Sequence, residues 1–260
     1  MSRTPPPYPE GLALLAGKTV LVTAAAGSGI GFATAKRCVE EGARVMISDI
    51  HERRLADAAA KLREISGSKV SAKLCNVTSD GDVRGLVAAA ISELGRIDVL
   101  VNNAGLGGTA NVVEMSDAQW DAVIGITLTG TFRMTRAVLP HMIERGAGAI
   151  VNNASVLGWR AQAGQAHYAA AKAGVMALTR CSALEVASHG IRINAVSPSL
   201  ATHEFLAKVT SAALLEELAA KEAFGRGAEP WEVANVIVFL ASDYASYMTG
   251  ECVSVSSQRA

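Results

Sequence analysis

Ser155, Tyr168 and Lys172 are the residues of this chain whose types and spacing most directly suggest chemistry. They lie in VNNASVLGWRAQAGQAHYAAAKAGVMAL (151–178), with Tyr168 thirteen residues after Ser155 and Lys172 four residues further on. Positions four apart on a helix share a face, and the Ala-rich YAAAK context reads as helix, so the phenol and the ammonium are expected to project toward one point. An isolated tyrosine keeps its proton to about pH 10, whereas a neighbouring cation favours the phenolate, so Tyr168 is expected to act as a base near neutrality. Ser155, ending an apolar run, would hold a substrate oxygen while the proton moves. On a solvated helix face such a Tyr–Lys pair is commonplace, so its meaning depends on the elements around it.

Those elements alternate. KTVLVT, ARVMISD, VSAKLCNV, IDVLVNN, GAIVNN, IRINAVS and CVSVS read as seven short buried strands. Helical patterns near 29–41, 51–65, 79–94, 116–145, 165–188, 203–222 and 230–242 separate them, which implies a parallel sheet covered on both faces. The chain has 260 residues, half of them hydrophobic, enough for one large core. It reads as an N-terminal extension (1–16) followed by one domain (17–260), with residues 1–10 an extended tail that is neither a signal peptide nor a membrane anchor. Acidic and basic residues balance at 24 each, so bulk charge points to no nucleic acid and no acidic membrane; small molecules are the expected partners. Cys38, Cys75, Cys181 and Cys252 lack metal-ligand or paired spacing, so no metal site is expected and the thiols read as reduced, in a cytoplasmic protein. The stretch 199–227 inserts a partly apolar helical segment before the last helix, which suggests a substrate lid.

Three loops at strand ends extend the candidate site. TAAAGSGIG (Thr23–Gly31) joins the first strand to the first helix, where Gly27, Ser28, Gly29, Ile30 and Gly31 would let the backbone and the helix N-terminus approach a pyrophosphate. Asp49 closes the second strand, placed to accept from adenosine ribose hydroxyls and to repel a 2′-phosphate, which favours NAD as cofactor; the alternative is a cap for the HERRL helix, on whose solvated face Arg53 and Arg54 are expected. NNAG (102–105) ends the fourth strand.

These motifs, in this order from about Gly17 to Ser254, resemble the short-chain dehydrogenase/reductase family. The resemblance implies a Rossmann-type, doubly wound α/β sheet and hydride transfer between a nicotinamide and a carbinol carbon. It implies Ser155, Tyr168 and Lys172 as catalytic residues, with Lys172 also holding the nicotinamide ribose. Asn103, Ala104, Gly105, Pro198 and Ala201 follow as cofactor neighbours. Departures are visible. Nine residues rather than eight run from Thr23 to Gly31, so the first glycine of TGxxxGxG becomes Ala24 or Ala25, and a one-residue bulge is expected. Asn76-Val77 stands where Asp-Val is usual, its amide oxygen still able to accept from adenine. TLTGTF places Thr127 at the family's fourth catalytic position, usually asparagine. Pro198-Ser199 replaces Pro-Gly, Thr202 is only an approximate counterpart of the nicotinamide-amide threonine, and Ser256-Ser257-Gln258 replaces Asp-Gly-Gly at an end that, in the family it resembles, commonly packs at a subunit interface.

Leu106, Trp159, Phe205, Leu206 and Val209 are candidate pocket residues, with Arg160, His167, His203 and Lys208 as a basic margin. An apolar pocket so edged suits a lipophilic alcohol or ketone carrying a carboxylate or a CoA thioester. NNASVLGWRAQ, SDIHERRL, GAEPWEV and VSVSSQRA resemble bacterial dehydrogenases of steroid ring C/D breakdown, which implies oxidation of the 5-hydroxyl of a methylhexahydroindanone propanoyl-CoA. The alternatives are a 3-oxoacyl-thioester reductase of the same family and a non-catalytic dinucleotide-binding protein. The apolar faces of helices 116–145 and 165–188, by the same resemblance, imply a homotetramer.

Overall fold

In the computed structural model, residues 4–67, 70–202, 206 and 212–257 are described. Seven strands form one sheet in the order β3-β2-β1-β4-β5-β6-β7: β1 (Thr19–Val22), β2 (Arg44–Asp49), β3 (Ser71–Leu74), β4 (Val99–Asn102), β5 (Gly148–Asn153), β6 (Ile191–Pro198) and β7 (Cys252–Val255). Every pairing is parallel, with β1 in register from Thr19 against Arg44 on one side and from Val20 against Val99 on the other. The seven apolar runs are therefore the seven strands, short and buried as the sequence implies.

Alternation along the strands feeds two helical layers. Val20, Val22, Val45, Ile47, Val99 and Val101 face α1 (Ile30–Glu40), α2 (Glu52–Ser66) and α8 (Pro230–Ala241) in one core. Leu21, Met46, Leu100 and Ile150 face α3 (Asp80–Leu94), α5 (Gly130–Arg145) and α6 (Ala166–Val186) in the other. The expected helix 116–145 is one helical run, α4 (Asp117–Ile124) into α5, interrupted by a π turn at Gly125–Thr129. Of the expected helix 203–222, α7 (Ala212–Lys221) is described; His203, Phe205, Lys208 and Val209 lie outside the described residues, as does Gln258.

The chain winds from β1 outward to β3, then returns to place β4 on the other side of β1. That reversal opens a crevice at the carboxyl ends of the strands, where sheets of this kind bind ligands. All three loops of the candidate site end there. Outside the sheet, the N-terminal stretch is strapped down rather than free: Tyr8 donates to Glu40 and packs edge-on against Trp231, and buried Glu41 accepts from the Leu12 and Leu14 amides at 2.9 Å.

Candidate active site

Ser155 lies two residues beyond the end of β5 and is 8% exposed; its Oγ accepts from the Leu157 amide at 3.2 Å, capping a short 3₁₀ turn. Tyr168 and Lys172 occupy the first two turns of α6 on one face, with Lys172 Nζ 5.5 Å from the centre of the phenol ring. The Ser155 hydroxyl lies near enough to the Tyr168 phenol to draw its pKa downward. All three predicted residues therefore meet beyond the ends of β4 and β5.

The electrostatics differ from expectation. Burial pushes the Tyr168 phenol above its ordinary value, and only Ser155 pulls the other way. Burial also lowers Lys172, to about 8, and its ammonium donates to the Asn153 carbonyl at 2.5 Å. Desolvation governs both groups, raising the phenol and lowering the amine. Burial therefore favours the protonated phenol over the phenolate that the spacing predicts.

Asn153 continues a relay of amides: its Nδ2 donates to Asn103 Oδ1 at 2.9 Å, and Asn103 Nδ2 donates to the Ala24 and Thr23 carbonyls at 2.9 and 3.3 Å. The seat of Lys172 is in this way tied to the glycine loop, a link that sequence reading missed because it joins residues from three strand ends, those of β1, β4 and β5. Ala104 is held by the Thr23 hydroxyl at 3.2 Å. A Cβ on Gly105 would stand 3.5 Å from Lys172 Nζ and 3.8 Å from Thr127 Oγ1, so that glycine lets the backbone pass between them.

Thr127 is buried in the π turn. Its Oγ1 accepts from the Leu106 amide at 3.0 Å and donates to the Leu106 carbonyl at 3.3 Å. The hydroxyl is thereby committed to the backbone after NNAG, and no hydrogen bond joins it to Lys172 among the described residues.

At the glycine loop, Ala24 takes the left-handed conformation (φ 50°) that the missing glycine would take, so the replaced position is Ala24, not Ala25. The extra residue is taken up with Gly27 at φ 103°. A Cβ on Gly31 would overlap the Ala24 carbonyl and Asn103 Nδ2, which makes a glycine there obligatory. Gly29 precedes Ile30 at the helix start without any side-chain cap, leaving Ser28, Gly29 and the first turn of α1 to present free N–H groups. Asp49, 7% exposed, accepts from the Ala26 amide at 3.2 Å and the His51 amide at 3.0 Å. His51, not Asp49, occupies the N-cap position of α2, and it makes no side-chain capping hydrogen bond. Arg54, expected on a solvated face, reaches to 3.9 Å from the Asp49 carboxylate. A negatively charged pyrophosphate and a ribose therefore fit this end of the crevice.

Two expectations change. Asn76 Oδ1 already accepts from the Thr78 amide (3.0 Å) and hydroxyl (2.8 Å), so both of its lone pairs are taken and the expected bond from adenine has no acceptor there; Val77 beside it packs on Gly130. His167 is no open basic margin: it is 2% exposed, beneath the loop after NNAG. Pro198 ends β6, and Ala201 pairs as an isolated bridge with Ala228, where Thr202 N also bonds the Ala228 carbonyl at 3.0 Å. Trp159 is 49% exposed and so not core, Leu206 is half-buried, and Arg160 is half-buried. An open cleft of about 530 Å³ runs along α4 and the π turn past Thr78, Ile126 and Arg133, and no predicted site residue lines it. Among the described residues no group of His, Cys, Asp and Glu is arranged to hold a metal ion.

A family model described as enoyl-(acyl carrier protein) reductase matches residues 24–257. A crystal structure of a short chain dehydrogenase from Mycobacterium smegmatis is 56% identical, superposes with a TM-score of 0.89 and covers 99% of both chains. The chain belongs to the short-chain dehydrogenase/reductase family. Among curated members, a Mycobacterium tuberculosis protein named (5R,7aS)-5-hydroxy-7a-methyl-1-oxo-2,3,5,6,7,7a-hexahydro-1H-indene-carboxyl-CoA reductase is 61% identical over 249 residues, 95% of each chain. A Thermotoga maritima 3-oxoacyl-[acyl-carrier-protein] reductase FabG is 42% identical over 241 residues, 93% of this chain and 97% of that one. This member of the family is an oxidoreductase with a seven-stranded parallel Rossmann-type sheet.

Proposed function

We propose that the protein transfers a hydride between NAD(H) and the ring carbinol or ketone of a hydroxy-methyl-oxo-hexahydroindane CoA thioester of steroid origin. The observation that carries this reading is the meeting of Ser155, Tyr168 and Lys172 at the crevice, in a chain 61% identical to a reductase named for such a substrate. That name specifies a carboxyl-CoA side chain where the sequence resemblance implies a propanoyl one, and the shorter chain is preferred here. A nicotinamide dinucleotide, when bound, would supply or take up the hydride. Gly27–Gly31 and the first turn of α1 would hold its pyrophosphate, and Asp49 its adenosine ribose; the buried carboxylate opposes a 2′-phosphate, hence NAD. Asn103, Ala104, Gly105, Pro198 and Ala201 would line the remainder.

Ser155 orients the substrate oxygen, and Tyr168 exchanges a proton with it. Because the resting phenol is protonated, it serves ketone reduction directly; oxidation of the 5-hydroxyl requires that its proton leave first. Lys172, held by Asn153, stands between the phenol and Gly105. Thr127 acts on the Leu106 backbone rather than in a proton relay. The intact Ser–Tyr–Lys geometry speaks against a binding-only protein, and Asp49 against an NADPH-dependent 3-oxoacyl-thioester reductase, the second reading that the FabG relative keeps in view.

A cytoplasmic homotetramer is the assembly we favour. Supporting it, all four cysteines are free, no described helix is long and apolar enough to cross a membrane, and α6 exposes Ala170, Ala173, Ala177, Cys181 and Leu184 along one stripe. The test is an assay of the bicyclic hydroxy acid and its CoA thioester with NAD or NADP. Tyr168→Phe is expected to cut turnover by roughly 10²- to 10⁴-fold while NADH fluorescence titration still reports binding. Retained turnover in that variant, or activity on 3-oxoacyl thioesters with NADPH alone, would overturn the reading.

A further inference from the structure

The loop after NNAG forms a lip along the start of α6. Gly105, Gly107, Gly108 and Thr109 are exposed, and three contacts pin the segment. Thr127 holds Leu106 through both backbone groups. Gln165 Nε2 donates to the Gly108 carbonyl at 2.7 Å and to Thr109 Oγ1 at 3.2 Å, and the Ala110 amide donates to the Gly164 carbonyl at 3.0 Å. Beneath the lip lies His167, the residue immediately before Tyr168. Its Nε2 stands 3.3 Å from where a Cβ on Gly108 would be, so the ring fills the hollow up to the glycine backbone. Its Nδ1 is buried and has no hydrogen-bond partner.

A buried ring nitrogen without a partner is unfavourable in either neutral tautomer, and an apolar side chain of the same size would avoid the cost. Its location is informative. One face of the ring's helix turn carries the phenol, and the ring itself sets the distance between that turn and the exposed backbone at the mouth of the crevice. We infer that His167 is a specificity-determining residue: it is the spacer that fixes the Gly105–Thr109 lip relative to Tyr168, and so the bulk of the alcohol admitted beside the phenol. This rests on the hydride-transfer reading above. The ligand class it selects is a rigid fused-ring secondary alcohol over a small monocyclic one, since a lip pinned at Leu106 and at Gly108–Ala110 has little freedom to adapt.

The experiment compares 2-decalol with cyclohexanol in wild type, His167→Ala and His167→Phe, and follows amide hydrogen exchange of residues 105–109 in each. Removing the ring in His167→Ala is expected to change the ratio of kcat/KM for the two alcohols at least fivefold, mainly through KM for 2-decalol. NADH affinity should stay unchanged and exchange in the lip should quicken. His167→Phe keeps the ring volume without the nitrogens and should retain both the wild-type ratio and slow exchange. A ratio within twofold of wild type in His167→Ala, or a His167→Phe protein that behaves like His167→Ala, would overturn the inference. If wild type turns over neither alcohol, the functional reading, whose substrate carries a CoA thioester, is untouched by that result. The exchange measurement then decides alone, and unaltered exchange in His167→Ala sinks the spacer role.

Discussion

Lys172 shows what assembling the site costs a single side chain. Its value falls from 10.5 to about 8 because it is buried, so between those limits it binds fewer protons folded than unfolded. Stability therefore rises with pH across that window: the full burden, roughly 3 kcal/mol, is present below about pH 8 and fades toward 10.5. Lys172→Met is accordingly expected to be inactive yet more stable than wild type at pH 7, by up to about 2 kcal/mol once the undonated Asn153 carbonyl is allowed for. Urea unfolding at pH 7 and 9.5 checks this, and the advantage should shrink at the higher pH; a constant gap would mean the amine is not desolvated. The positions of Ser155, Tyr168 and Lys172 were legible because helical periodicity and strand ends place them locally. The sign of the tyrosine shift was not, because it depends on how deeply neighbours from other elements bury the phenol.

At the scale of elements, strands and helices follow from apolar runs and their flanking turns, which explains the close agreement for β1 to β7. What the pattern hid are local departures driven by contacts far along the chain. The π turn at Gly125–Thr129 lies inside a run that reads as uninterrupted helix, and it brings Thr127 against Leu106. Asn76 lost its expected role to a hydroxyl two residues away. The glycine loop carries the clearest strain: Ala24 at φ 50° meets its own Cβ in a region that glycine occupies freely. Ala24→Gly is expected to stabilise the fold by about 0.5–1 kcal/mol, less than the full strain because glycine also loosens the unfolded chain. A chemical denaturation midpoint would show it; a lower midpoint would mean that Ala24 has compensating contacts.

For the whole molecule, the sheet order gathers the glycine loop, Asp49, Asn103 and the Ser155–Tyr168–Lys172 group at the carboxyl ends of the strands, and α6 keeps an outward face. The exposed stripe on α6 is mostly alanine, small enough for close helix approach, and Leu184 is 81% exposed at its end. If the proposed tetramer forms through this face, Ala177→Arg should shift the mass measured by light scattering to dimer or monomer, while a variant that stays tetrameric would place the interface elsewhere. The oligomer was suggested by family resemblance, since a lone chain contains no record of which apolar face a partner covers.

One further link bears on how the protein is handled at the bench. Ser257 donates its hydroxyl to buried Glu222 at 2.8 Å and accepts from the Ala223 amide at 3.0 Å through its carbonyl, while Glu222 also takes the Leu200 amide at 3.4 Å. The last described residue is thus a brace between the two ends of the segment flanking the crevice. A purification handle fused after Ala260 would hang from that brace, whereas one before Met1 would lead into the strap that Tyr8 fastens to Glu40 at the C-terminal end of α1, so measured substrate affinities should come from protein extended only at its beginning.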